Sequence, residues 1–440
     1  MQTRLVGLVA LCCLAMVARA VPPAPVAPPG IDLERAAALF DLLRARSDVD
    51  GGALWGRTID GPMLIVDPRT REAVANDPGP QKLLSPTANG LFRGVLPPEI
   101  PIANTAVQWA GQEWGMVQWP IAPDDIYAGM LLVHESFHRI QDDLGLDRAV
   151  PVNDHLDTRD GRIWMRMEMR ALAAALQAES PLESEALSDA LLFRAWRHRQ
   201  FPRARTTERQ LDLNEGTAEY TGVRLGGASE SQQRAIVIRS LRLYDGQVQL
   251  VRTFSYAIGP AYGLLLDDAD PGWPRSLRRS SDLSRLLARA VGWRRPRELE
   301  AEARRRGEVY DLAALEEEET VRDDAHTAHR EALIERFQRG PVLNIPLNTG
   351  RFNWTFESSD IVTLDAQSMV YGGATLTGVF GFLDAPGGML ITGTARTRRA
   401  VVPAPFQEVD GRLEGAGWTM TVADGWMIRA RGRNWELTRR

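Results

Sequence analysis

The hydrophobic period of this 440-residue chain switches for its last hundred residues near residue 340, and that switch restricts its fold more than any other feature. From about residue 125 to 339, apolar residues recur at three- and four-residue spacing, as on one face of a helix. After Arg339-Gly340-Pro341 the texture turns to short alternating runs rich in Thr, Val, Gly and Trp. Turn signals stand at Pro386-Gly387-Gly388, Asp410-Gly411 and Asp424-Gly425. Because the period decides which side chains share a face, neither part can borrow the other's architecture. The expected class is α+β: a mixed sheet followed by a large helical part over 31–340, then an all-β sandwich or barrel over 341–440.

Before the helical block, IDLERAAALFDLLRARS from Ile31 to Ser47 reads as an amphipathic helix. Residues 51–77 read as one hairpin region, and NTAVQWAGQEWGMVQWPI as a second that turns near Gly111. Pro123-Asp124-Asp125 offers capping chemistry for a helix running to Gly145. Further helices are expected at 160–178, 183–200, 206–225, 229–244, 248–267, 276–291 and 310–339.

Residues 1–20 carry Arg4, an uncharged apolar run from Leu5 to Val17, and Ala18-Arg19-Ala20 as a small-x-small cleavage site. They read as a secretory signal peptide, which places the mature chain in the periplasm or outside the cell. Both cysteines, Cys12 and Cys13, lie in this segment, so the mature chain has no disulfide. Residues 21–30, VPPAPVAPPG, form a stiff Pro-rich linker. No later run reaches the roughly 18 apolar residues of a membrane span, so no stable membrane insertion is expected. With 44% apolar and 25% charged residues, neither disorder nor a polytopic membrane protein fits. The net charge of -5, with Lys82 as the only lysine, argues against nucleic acid as a partner.

His134-Glu135-Ser136-Phe137-His138 is an HExxH sequence inside an expected helix. Residues four apart on a helix lie about 40° apart around its axis, so both imidazoles leave one face and can grip one metal ion. Glu135 points about 100° round, where it can hold and deprotonate a water. The plain alternative is two helix-face histidines beside a carboxylate. The following RIQDDLG lacks the Gly and third His of the metzincin pattern.

Well downstream, in another expected helix, stands Asn214-Glu215-Gly216-Thr217-Ala218-Glu219-Tyr220. With HESFH, this segment resembles the gluzincin metallopeptidases, the thermolysin-like and metallo-aminopeptidase families. Their third zinc ligand is a glutamate in such a motif. The resemblance implies a zincin-like catalytic region with Zn2+ held by His134, His138 and Glu215, and with Glu135 as general base and acid. It also implies that Glu219 hydrogen-bonds a zinc-bound histidine, and that a peptide or protein is the substrate. The pair Glu215 and Glu219 repels on one helix face unless a cation or histidine intervenes. The spacing between the motifs is much longer than in the closest gluzincins, and no GAMEN-like aminopeptidase sequence is present.

In gluzincins the strand before the active-site helix is an edge strand that pairs with substrate, and GMVQWPI, Gly115 to Ile121, stands in that place. Its other reading is a core strand in which Trp114 and Trp119 pack. Water attack on a carbonyl calls for an oxyanion stabiliser. Tyr256 and Tyr262 are the candidates, because Gly259-Pro260 would break a helix and suit a cavity wall. His155 is a loop alternative. His198, His326 and His329 read as solvated surface residues, and Arg194, Arg197, Arg199, Arg203 and Arg205 as a solvated basic face. The competing functional class is a noncatalytic periplasmic scaffold acting through the C-terminal β domain, for which a cell-envelope or glycan partner is conceivable.

Overall fold

The computed structural model of the chain describes residues 30–440 apart from 99, 147, 248, 349–351, 357–359 and 395. The expected signal peptide and nearly all of the Pro-rich linker lie outside the described residues. The architecture is α+β. Helix α1 (Leu33–Asp50) precedes six strands: β1 (Met63–Val66), β2 (Glu72–Ala75), β3 (Ser85–Pro86), β4 (Phe92–Val95), β5 (Thr105–Trp109) and β6 (Gln112–Gln118). Then come α2 (Asp125–Ile140), α3 (Arg159–Gln177), α4 (Glu185–Gln200) and α5 (Ala204–Leu211). A π-helical turn, Asp212–Gly216, runs straight into α6 (Thr217–Leu225). Helices α7 (Glu230–Asp245), α8 (Ser255–Ala269), α9 (Trp273–Ser276), α10 (Leu283–Ala290), α11 (Leu299–Gly307) and α12 (Leu312–Ile334) complete the helical part.

The N-terminal sheet has the order β3-β4-β2-β1-β6-β5. Only β1 and β6 run parallel, with Leu64 opposite Met116. Leu64, Val66, Trp114 and Met116 share one hydrophobic cluster. Met63, Ile65 and Val117 alternate to the other face and are also buried. Burial on both faces explains why β1 reads as a continuous apolar run, MLIV, rather than an alternation.

Two features differ from the sequence expectation. GMVQWPI is not the edge: β6 pairs with β1 on one side and β5 on the other, which leaves β5 at the margin. Pairing on both sides, with Trp114 fully buried, matches the core-strand reading of that segment. Pro260 does not break its helix, since α8 continues through it. Gly259 instead lies against Gly216 so closely that a side chain at Gly216 would sit 3.1 Å from the Gly259 Cα. Helix α11 is an element the sequence reading lacked, and α8 begins later than residue 248.

Contacts divide the described chain within α12: residues up to Glu319 belong to one compact unit, and those from Thr320 on to another. In the second unit, strands from Val342–Pro346 to Asn434–Arg439 form a seven-stranded and a six-stranded sheet. Leu343, Ile345, Met389 and Ile391 of the first share a core with Leu376, Leu383 and Met420 of the second, so this part is a sandwich. The seven-stranded sheet buries its other face too, where Leu333 and Phe337 cover Val362, Leu364 and Leu390.

Candidate metal centre

Helix α2 starts where the sequence placed its cap: the Asp124 carboxylate accepts the amides of Ile126 at 2.9 Å and Tyr127 at 3.0 Å. It packs on β6 and crosses α6 at close range. That crossing depends on glycine, because a Cβ at Gly222 would lie 2.7 Å from the Met130 carbonyl oxygen. Close approach of the two backbones brings the histidines of α2 to the glutamates of the π turn and α6.

His134, His138 and Glu215 converge so that one potential ligand atom from each lies within 4.8 Å of the others, a cluster that could hold a metal ion. The two Nε2 atoms are 3.1 Å apart. Glu215 Oε2 is 3.6 Å from His134 Nε2 and 3.4 Å from His138 Nε2. The opposite ring nitrogens are committed elsewhere: His134 Nδ1 to Glu219 Oε2 at 2.8 Å, and His138 Nδ1 to Gln141 Oε1 at 2.7 Å. Both partners are acceptors, so each Nδ1 carries a proton, and in the neutral ring each Nε2 presents its lone pair towards the other. Two facing lone pairs and a carboxylate make a donor set that fits a cation at the centre.

The carboxylates around the histidines make the centre attract positive charge, a proton or a cation. Burial opposes a charge on Glu215, but hydrogen bonding to His134 and His138 outweighs it and holds this carboxyl far below the ordinary range. Burial likewise opposes protonation of His134, yet Glu215 and Glu219 drive its pKa well up. Glu135 is buried beside them, and desolvation raises its carboxyl above the usual value. Its Oε2 has no hydrogen-bond partner among the described residues. A buried carboxylate oxygen with no partner is costly and unusual.

Sequence reasoning had no claim on Gln141, which ties the two motifs together. Its amide donates to the carbonyls of Leu213 at 3.1 Å and Asn214 at 2.9 Å while its oxygen serves His138. The available signal was its place three residues past His138, on the same helix face. Tyr256 reaches the site from α8. Its hydroxyl donates to Glu215 Oε2 at 2.8 Å, and its ring stacks on His134 with centroids 5.8 Å apart and planes 7° apart.

A cavity of about 200 Å³ opens on the cluster. His134, Glu135, His138, Asn214, Glu215 and Tyr256 line it, together with Asn104, Thr105 and Ala106 of the β5 margin and with Arg148 and Val150. The two-residue hairpin turn Ala110-Gly111 has φ values of 51° and 87°, and Trp109 pairs with Gln112. Counting back along an antiparallel ladder, the backbone groups of Ala106 and Gln108 point away from β6.

Tyr262 and His155 do not reach this cavity, which corrects both as oxyanion candidates. Tyr262 is fully buried and donates to Glu168 Oε1 at 2.7 Å. His155, in a turn of 3-10 helix, bonds Glu208 Oε1 at 2.7 Å. They belong to a second cluster in which Arg197 meets Glu168 at 2.5 Å and Glu208 at 2.7 Å, while Arg194 pairs with Asp212 and Glu168. Arg194 and Arg197 are therefore buried rather than part of a solvated basic face, whereas Arg199, Arg203 and Arg205 are exposed. His198 is also drawn in, 2.8 Å from Glu208 Oε2. Three buried carboxylates supply the physical reason, since their desolvation is offset only by cations.

No protein-family model, curated protein or solved structure matches this chain.

Proposed function

We propose that this protein is an exported zinc-dependent peptidase with a zincin-like catalytic unit. The observation that carries the reading is the pairing of a His134, His138, Glu215 donor set with the unpartnered Oε2 of Glu135 on one cavity. Two imidazoles and one carboxylate are the ligand set typical of hydrolytic zinc, which keeps a position open. Bound there, zinc would supply Lewis acidity for a carbonyl oxygen and lower the pKa of water to about 7.

The chain's own groups then have these tasks. Glu135 Oε2 takes the proton of the attacking water and passes it to the leaving amine nitrogen, which a carboxyl of raised pKa does more readily. Glu219 and Gln141 hold the histidines in the Nδ1–H tautomer. The Tyr256 hydroxyl lies where it can release Glu215 and donate to the developing oxyanion. An extended peptide laid along β5 pairs with the backbone groups of Ala106 that point away from β6. Among the described residues no helix is long and apolar enough to cross a membrane. The noncatalytic scaffold reading leaves the unpartnered Glu135 oxygen without a purpose.

Metal analysis of the purified chain after dialysis against metal-free buffer tests the centre, with about one zinc per chain expected. Digestion of a peptide library by the zinc-loaded chain, with Glu135→Gln as the blank, tests the activity. Protein that takes up no metal after incubation with zinc, or cleavage equal in the blank, overturns the proposal.

A further inference from the structure

Among the residues lining the cavity, Arg148 alone carries a permanent positive charge. It lies just beyond α2, and two bonds fix it. Its Nη1 donates to Glu113 Oε1 of β6 at 2.6 Å and to the His138 carbonyl at 3.0 Å. Those bonds use one corner of the guanidinium. Nε and Nη2, the edge that grips a carboxylate side-on, have no hydrogen-bond partner among the described residues. Asp142, whose side chain is 66% exposed, lies 3.8 Å from Nε. Arg148 itself remains 32% exposed.

Asn104 adds a neutral donor on the same cavity. Its Oδ1 accepts the Gln118 amide at 2.8 Å, which leaves Nδ2 to donate elsewhere. The other charged carboxylates lining the cavity, Glu135 and Glu215, are acceptors already assigned to the centre. A planar, partly immobilised fork beside an amide donor matches a carboxylate better than any neutral group. The cavity's volume of about 200 Å³ confines the recognised group to the residues next to the scissile bond.

We propose that Arg148, assisted by Asn104, is a carboxylate subsite that makes the enzyme prefer peptides bearing a carboxylate close to the cleaved bond. The carboxylate is supplied by an Asp or Glu side chain or by the C-terminus of the peptide. This inference rests on the peptidase reading above and deepens it by naming the substrate class.

The test uses the full zinc-loaded chain and matched N-acetylated heptapeptides, in which one Glu or Gln is walked through the sequence and the C-terminus is acid or amide. Binding to the Glu135→Gln variant is read by calorimetry and cleavage by the wild type by mass spectrometry. A charge-assisted fork predicts that the carboxylate form binds roughly 10- to 100-fold tighter than its amide. A preference that follows Glu over Gln assigns a side chain, and one that follows acid over amide assigns the C-terminus. Arg148→Met is expected to cut the preference below about 2-fold, with Arg148→Lys intermediate because an ammonium lacks the fork. Should Arg148→Met fail to fold, the wild-type ratios and Arg148→Lys decide. Cleavage without carboxylate preference, or a preference that survives in Arg148→Met, overturns the subsite alone. A chain that neither binds nor cleaves any of the peptides overturns the peptidase reading and the subsite with it.

Discussion

Asp212 and Glu215 stand three residues apart in one π-helical turn, yet their partners differ in kind. Asp212 meets Arg194 and Ser255, and it belongs to a network where Glu168 and Glu208 also have guanidinium partners. Glu215 meets two imidazoles, a tyrosine hydroxyl and an asparagine amide. Glu135, Glu215 and Glu219 together bond to no arginine or lysine among the described residues. The first cluster is closed: its charges offset each other inside the protein. The second is open, with a carboxylate oxygen and two facing imidazole nitrogens that could hold a cation. An extra residue per turn in a π helix often marks a functional site, and here it lets one short segment face both clusters.

Substitutions in the two clusters should separate chemistry from stability. The largest effect is expected for Glu135→Gln, which should keep the metal while hydrolysis falls about 10²- to 10⁴-fold; the kinetic and metal assays on one preparation check this. Arg197→Met should do the reverse. Removing one partner of a buried network costs about 3–5 kcal/mol, read as a lower urea midpoint, while the metal content of the folded fraction stays unchanged. Loss of metal in step with stability would mean that the two clusters are one.

Glu219→Ala should weaken metal affinity about 10- to 100-fold by freeing the His134 tautomer, measured by competition with a chelator. The closed cluster should also show in acid. Burial pushes Glu208 up, but Arg197 and His198 outweigh it and hold its carboxyl well below 4.5. Glu208 therefore contributes stability that is present above pH about 4.5 and lost as pH falls through its depressed native value. Asp212, raised by burial, has the opposite sign. Wild type should consequently lose unfolding free energy faster than Glu208→Gln between about pH 4.5 and 3, measured by urea titration at each pH. The smallest effect belongs to an exposed pair: Arg57, 3.0 Å from Asp143 at the surface, should cost less than about 1 kcal/mol when replaced by alanine.

The candidate metal cluster was legible because its residue pattern obeys local spacing. HESFH puts two imidazoles on one face of α2, and NEGTAEY puts a second acceptor one turn from Glu215, before any tertiary contact is known. The Asp124 cap and the turn at Gly111 were legible for the same reason. Tyr256 and Tyr262 show where that reasoning ends. They sit six residues apart on α8, and nothing in their neighbourhood separates them, yet one touches Glu215 and the other Glu168. The arginines of α4 show the same limit, since an Arg-rich helix reads as solvated until buried carboxylates from α3, α5 and the π turn surround it.

By itself the sequence determined the α+β division, the two motifs and the residue types of the candidate cluster, because helical period, capping and i, i+4 spacing act within a few residues. Only the tertiary structure decided which strand is the free edge, which tyrosine lines the cavity, and that Gln141 and Arg148 join the site. Those outcomes depend on pairing and packing between segments far apart in the chain. There the energy of a contact is set by what else is buried beside it, and no local pattern records that.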